Sequence, residues 1–485
     1  MTRRQRIILA FVVAGVSIFL LFYRCGWRDL WSSHEARAAQ NAASLLHYHD
    51  FRLPRLTDER PELQKPPLYY WLVAGIGAIR GQVDTWAVRL PATLAAGGCV
   101  ALVGFGLWYR QRPVAAIVAC LLLVTAHHFT TLGRTGRIDM PLTLAVMLTV
   151  GSWLWGGWWV LVGTLSAAAG LLLKGPIGLL LPLVVWSAWQ IPRGWRRDGR
   201  SRIVAVGVSA LGAVLLALPW FAVAHEMTDG EFTRVFFWYH NVQRATGGAE
   251  ELAVHPWWYY GVRLLVDALP ATLLLPGALV HFARSPFRSD VEARFGLVWW
   301  ASLLLVLSLS RFKRADYLLP AYPGLAIFLG CFVERQAKLQ DRIRRHLPLA
   351  LGGLSAAALI GWLVYLHAIE APAEKRRESQ SLAKAIREIA PPPTPILLFR
   401  VESHPLAFHL GRPINTLLEW ENLDVWAESE SPIYVVMTPE VAADWPKHLR
   451  RGRLETVLRR DHHEKPLVLL RTCRSSENVD GPSGR

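Results

Sequence analysis

The chain has 485 residues, a formal charge of +16 at pH 7, 22 tryptophans and a 52% hydrophobic composition. Its apolar residues gather in long runs, several reaching the roughly 20 residues that cross ~30 Å of hydrocarbon, which excludes a soluble globular protein. The basic residues fall between those runs rather than on one soluble face, which excludes nucleic acid as a partner, and the five cysteines show no metal-type spacing.

The first run, IILAFVVAGVSIFLLFY after MTRRQR, is followed by no small-residue cleavage site and reads as a retained helix, not a removed signal peptide. Eleven spans are predicted, at about 7–23, 87–108, 114–130, 139–154, 157–173, 176–191, 203–224, 259–280, 295–310, 318–333 and 347–368. With a cytoplasmic N-terminus, the inside segments are TRRQR, RQR, RGWRRDGRSR, HFARSPFRSDVEARF and ERQAKLQDRIRRH, all basic, as the positive-inside bias requires. That orientation makes the chain a multi-pass protein of a plasma (inner) membrane. The region from about 370 onward, the loops 24–86 and 225–258, and the connections 131–138, 174–175 and 311–317 then lie outside.

The first outer loop is too long for a plain connector. Ser32 or Ser33 can cap a helix starting near Glu35, and Ala38, Ala42 and Leu45 or Leu46 share one face, so an amphipathic helix along the membrane interface is expected. A second short helix is expected after Pro66-Pro67, because LYYWLVAGIGAI is too short and aromatic to span and because a span there would put the basic loops outside. Cations on the outer face have no topological use. Lys65, Arg134, Arg137, Lys174, Arg244, Arg311, Lys313 and Arg314 nevertheless converge there, against a bland reading in which each snorkels to headgroups. Convergence favours an anionic ligand, with phosphate the obvious candidate.

HEARAAQ, LPRL, QKPPLYYWL, RLPAT, GRIDMPL, LLLKGPIGLLLP, FWYHNVQR, HPWWYY and FKRADYLLPAYPGLAIFLG, in that order over about 31–330, resemble the bacterial C-type glycosyltransferases. Within that group the resemblance is to the lipid A aminoarabinose transferases and the protein O-mannosyltransferases. It implies an all-α polytopic membrane fold, and hexosyl or pentosyl transfer, by inversion, from a polyprenyl phosphate carrier to a lipid, protein or envelope-glycan acceptor outside. Two departures stand out. His34-Glu35 replaces the family's Asp-Glu pair, whose Asp is catalytic, and Gln64 stands where close relatives often carry Glu before the Lys of KPP.

Such transfer must neutralise a leaving phosphate and take a proton from the acceptor hydroxyl. Arg37, Lys65, Lys174, Arg244, Arg311, Lys313 and Arg314 are the candidates for the phosphate, with Tyr317 as a phenolic donor. Glu35, His34 and Asp139 are the candidates for the proton, although Asp139 also suits a helix N-terminal cap and Glu35 a local pair with Arg37 or Arg28. His225, His240 and His255 match no standard ligand motif, so no cofactor is expected, a divalent metal being the alternative. The loop that carries them reads as a gate for the acceptor.

Beyond the last span, PILLF, PIYVVM and KPLVLLR have strand length, while ESQSLAKAIREIA and PEVAADWPKHLRR read as helices. The chain thus divides into a transmembrane glycosyltransferase domain, 1–369, and a small extracytoplasmic α/β domain, 370–485, which caps the site or docks the acceptor. The competing reading is a lipid-linked sugar flippase or transporter, which would need polar residues at mid-membrane depth.

Overall fold

The computed structural model describes residues 1–191, 197–243, 254–284, 286–429, 431–460 and 464–474. Its first ten helices are α1 (Arg3–Phe22), α2 (Ser33–Tyr48), α3 (Leu68–Arg80), α4 (Thr85–Tyr109), α5 (Pro113–Thr125), α6 (His127–Gly133), α7 (Asp139–Trp155), α8 (Trp159–Lys174), α9 (Ile177–Gln190) and α10 (Arg197–Met227). Longer helices follow at Val291–Leu309, Tyr322–Leu339 and Asp341–Val364. Among the described residues, six helical stretches are long and apolar enough to cross a membrane. The number is eight if α5 with α6, and Tyr259–Asp267 with Ala271–Arg284, each count as one bent span. The other three predicted spans are the helices α7, α8 and α9, of 17, 16 and 14 residues.

The first outer loop folds as two short helices. Ser32 caps α2, its hydroxyl accepting from the Glu35 amide at 3.2 Å, and α3 begins directly after Pro67. Helix α2 is enclosed by protein on more than one side. Ala36, Ala38, Ala39 and Ala42 are all buried, and their small side chains let protein approach α2 from more than one side. Helices α3 and α4 pack on it, while the helix His404–Leu410 docks through Gln40, which donates to the His404 carbonyl at 2.9 Å.

The strands β1 (Ile396–Phe399), β2 (Asn415–Leu417), β3 (Tyr434–Met437), β4 (Gly452–Arg460) and β5 (Leu467–Arg474) form one sheet in the order β2-β1-β3-β5-β4. β1 pairs in parallel with β2 and β3, and β5 pairs antiparallel with β3 and β4. Side chains alternate across the sheet, so Ile396 and Leu398 enter one core while Leu397 and Phe399 enter the other. A polar seam ties this unit to the first outer loop. Asp29 accepts from His409 at 2.6 Å and from the Ser379 amide at 2.7 Å, and Glu374 accepts from the Asp29 amide at 2.8 Å and the Trp31 indole at 2.6 Å.

One hairpin fixes a side chain of special interest. Helix α8 ends at Gly175, whose φ of 70° favours glycine, and Pro176 directly precedes α9. The two backbones touch: a Cβ on Gly178 would sit 2.1 Å from the Gly170 carbonyl oxygen. This contact sets where Lys174, the last residue of α8, emerges. Gly178→Ala is therefore expected to cost about 1–3 kcal/mol of overpacking, read as a lower unfolding temperature in detergent, whereas Gly353→Ala, with nothing within 4 Å, leaves it unchanged.

Candidate active site

A polar cavity of about 140 Å³ opens where the outer connections meet. Helix α2 contributes His34, Arg37 and Ala38, which share a face because residues three and four apart are neighbours on a helix. Gln64 and Lys65 come from the segment before Pro66-Pro67, Tyr69 and Tyr70 from α3, Gly136 to Asp139 from the bend before α7, and Lys174 from the end of α8. Arg314, Asp316 and Tyr317 complete the lining.

These charges form an alternating ladder. Lys174 Nζ donates to Asp139 Oδ1 at 2.6 Å, and Arg137 Nε lies 3.3 Å from Asp139 Oδ2. The other end of Arg137 donates to Asp316 Oδ2 at 2.6 Å, and Arg314 Nε donates to Asp316 Oδ1 at 3.1 Å. Arg314 Nη2 is also 3.4 Å from His34 Nε2. The Lys174 ammonium stands 4.3 Å from the Tyr317 ring centroid. Arg37 is set against Glu62, while Lys65, Arg137, Lys174 and Arg314 line the cavity together with two carboxylates, Asp139 and Asp316.

An apolar cavity of about 420 Å³ adjoins the polar one and shares Lys65, Asp139, Lys174, Asp316 and Tyr317 with it. Leu142, Ile177, Leu181, Leu307 and Phe312 are among its other walls. A larger cavity of about 620 Å³, between α1, α4 and α5, is almost wholly apolar and lies away from the ladder.

Several expectations change at the level of single side chains. Arg311 is exposed and lines neither cavity. Lys313 turns away, its ammonium held by the His255 carbonyl at 3.0 Å and by that of Ser310. The cause is local: Phe312 bridges Val254 in strand-like pairing, and in extended chain alternate residues face opposite ways. Phe312 and Arg314 therefore face the cavities while Arg311 and Lys313 do not. Arg134 is spent on the carbonyls of Leu20, Leu21 and Tyr23 at the end of α1. Arg37 lines the cavity but is bidentate to the fully buried Glu62, at 2.8 and 2.9 Å. Asp139 makes no capping bond to its helix; its carboxylate serves Lys174 and Arg137. Arg244 lies outside the described residues, as do Gly247 and Gly248. Among the described residues, no three of His, Cys, Asp and Glu are grouped to hold a metal ion.

Glu35 is the largest correction. It is fully buried and does not line the cavity. Oε1 accepts from Arg89 Nε at 2.7 Å and from the Gly136 amide at 3.0 Å, while Oε2 accepts from Arg28 at 3.0 Å. Burial alone would raise its pKa, yet Arg28 and Arg89 push it down to about 2. A carboxylate so committed cannot take an acceptor proton; it holds the bend that carries Arg137 and Asp139. His34, by contrast, is open to the cavity, and the enclosing protein, with Arg137 and Arg314, lowers its pKa. It is a neutral imidazole at pH 7. Sequence reading also passed over Asp316, which sits inside the basic FKRADY run, and Glu62, two residues before Gln64 in PELQKPP.

Comparison with known proteins shows what the chain is similar to. A family model described as dolichyl-phosphate-mannose-protein mannosyltransferase matches residues 64–221. The fold is that of ArnT from Cupriavidus metallidurans bound to undecaprenyl phosphate, with a TM-score of 0.80 at 17% identity over 95% of this chain and 97% of that one. Archaeal oligosaccharyltransferase AglB from Archaeoglobus fulgidus, in complex with an inhibitory peptide and a dolichol-phosphate, gives a TM-score of 0.57 at 13% identity over 93% and 72%. The chain thus has the fold of the C-type glycosyltransferases.

Within that class the particular likeness is to the undecaprenyl phosphate-alpha-4-amino-4-deoxy-L-arabinose arabinosyl transferases. That of Edwardsiella ictaluri is 30% identical over 370 residues, 71% of this chain and 64% of its own length. That of Pseudomonas aeruginosa PAO1 is 29% identical over 378 residues, 74% and 66%. The chain spans just under two thirds of the length of these curated relatives.

Glu35→Gln is expected to lose folded protein rather than turnover alone, because it leaves Arg89 buried without its carboxylate partner, at a cost of about 3–5 kcal/mol. The same pair sets an acid limit. The folded-state pKa lies below the ordinary 4.5, so its stabilisation is complete above pH 4.5 and is lost as pH falls through about 2. Unfolding temperature measured from pH 6 downward should drop across that window, and the drop should be smaller in whatever Glu35→Gln protein folds.

Proposed function

We propose that this chain is a membrane glycosyltransferase that moves a sugar from a polyprenyl phosphate carrier to an acceptor hydroxyl on the extracytoplasmic face, with inversion. The observation that carries the reading is the junction of a positively charged polar cavity with an apolar one. Such a donor has both halves, an anionic diester and a hydrocarbon tail. The diester bears one negative charge, and the departing polyprenyl phosphate gains a second. Arg137, Lys174 and Arg314, spaced by Asp139 and Asp316, are set to stabilise the leaving state more than the resting donor, which is the condition for catalysis rather than mere binding.

In this reading Lys65, Lys174, Arg137 and Arg314 hold the phosphate, with the Tyr317 hydroxyl beside them. Asp139 and Asp316 space those cations apart. His34 takes the acceptor proton: its basicity is suppressed by the enclosing protein and by neighbouring cations, and rises as the leaving phosphate gains charge next to it. The acceptor oxygen bonds to the anomeric carbon, and the bond from that carbon to the phosphate oxygen breaks with its electron pair on the phosphate.

The reading includes an inner-membrane protein with eleven spans, α7, α8 and α9 added to the other eight, and with residues 370–485 as an extracytoplasmic domain that docks a lipid, protein or glycan acceptor. The flippase alternative lacks its main support, because the cavity's charges sit at helix ends and in connections rather than along a mid-membrane path.

Purified protein given a panel of polyprenyl-phosphate sugars is expected to consume a donor and label an acceptor. Arg314→Ala should lower turnover by about one to three decades, while Arg311→Ala and Lys313→Ala spare it in whatever protein folds; equal losses at all three would count against the cavity. Tags in 193–202 and 334–346 should be reached only from the cytoplasm, and a C-terminal tag only from outside. A cytoplasmic C-terminus would defeat the shared outer face.

A further inference from the structure

We infer that the side-chain amide of Gln64 is a determinant of sugar specificity, its Nε2 donating a hydrogen bond to a hydroxyl oxygen of the donor sugar. This rests on the glycosyltransferase reading and deepens it.

Its neighbours decide which way that amide faces. Gln64 Oε1 accepts from Arg37 Nη1 at 2.7 Å. A guanidinium has no acceptor to offer in return, so the oxygen must stay on that side and Nε2 on the other. Arg37 is itself held, its Nη2 lying 2.8 and 2.9 Å from the two oxygens of the fully buried Glu62. The same carboxylate accepts from the Gln64 backbone amide at 2.8 Å and from Asn41 at 3.2 Å. One buried ion pair thus pins Gln64 by backbone and by side chain, and the residue reaches the cavity wall with its amide already turned. Among the described residues Nε2 bonds no acceptor and is not closed off by protein, so its N–H groups are presented to the occupant of the cavity.

That occupant is the sugar. In a polyprenyl-phosphate donor the phosphate stands between the tail and the sugar. Lys65, Lys174 and Tyr317 line both the apolar and the polar cavity and mark the phosphate, whereas Gln64, like His34 and Ala38, lines the polar cavity alone, beyond the phosphate from the tail. The phenols of that part are engaged, Tyr69 donating to the Val88 carbonyl at 2.7 Å and Tyr70 being hydrogen-bonded to Glu62. A neutral amide donor suits a neutral hydroxyl, and one fixed in advance loses little freedom on binding.

The test uses the full-length protein and a panel of polyprenyl-phosphate-linked hexoses and pentoses, followed by the monodeoxy forms of whichever donor is consumed. Gln64→Met keeps the length of the side chain and removes its N–H groups. It is expected to lower kcat/KM for the full donor by about three- to tenfold, while sugar-free polyprenyl phosphate binds as tightly as to the wild type. At one deoxy position the advantage of wild type over Gln64→Met should vanish, because the donor then lacks the oxygen that Nε2 would meet. An equal loss of affinity for sugar-free polyprenyl phosphate, or a wild-type advantage that persists at every deoxy position, would overturn the inference and leave the transferase reading standing. Gln64→Ala takes the place of Gln64→Met should the latter not fold, and failure of both to fold would make Gln64 a part of the scaffold and overturn the inference too. Consumption of no donor in the panel would overturn the transferase reading, and the inference with it.

Discussion

The buried pair of Glu35 and Arg89 is the contact on which the outer half of this protein depends. Arg89 enters from the first turn of α4, fully buried, and besides Glu35 it donates to the carbonyls of Cys25, Arg28 and Asp29 at 2.8 to 2.9 Å. It thereby gathers the chain leaving α1, while Glu35 gathers the start of α2 and the Gly136 amide. Gly136 cannot carry a side chain, because a Cβ there would lie 2.4 Å from Val88 in α4. Three segments are thus fixed by one ion pair and one close approach. A pair of this kind adds little net stability over an apolar replacement, but losing one partner is costly, and that asymmetry makes it a device for position.

What it positions is a set of cations that would otherwise repel. Four cations around about 140 Å³ are tolerable only with carboxylates between them, and Asp139 and Asp316 occupy those places. Each carboxylate is used in spacing, and His34 is one of the polar groups that face the cavity with a lone pair to offer.

Much of this was legible in the sequence. Apolar run length gave the helices, proline pairs gave the start of α3, and loop charge brought Lys65, Lys174, Arg314 and Tyr317 to one face, where the structure does gather them. Side-chain direction was not legible. Nothing in RFKRADY says that residue 312 pairs with residue 254, yet that pairing decides which cations face inward. Glu35 was a catalytic candidate through the resemblance; its local pair with Arg28 was legible and is present, whereas Arg89, 54 residues away, lies beyond any local pattern. Edge strands were missed for a related reason: β2 has three residues, and β4 alternates charge with Leu454, Val457 and Leu458, the blunted composition that protects a sheet edge.

The seam through Asp29 and Glu374 has an evolutionary consequence. Each of these carboxylates bonds groups on both sides of the junction or lies across it, so the C-terminal unit and the first outer loop share a hydrogen-bond inventory that neither can satisfy alone. Recombination that exchanged one without the other would strand buried acceptors. The two stretches, more than 300 residues apart in the sequence, therefore form a single block, and a change to one edge of this seam is tolerated only with a matching change to the other.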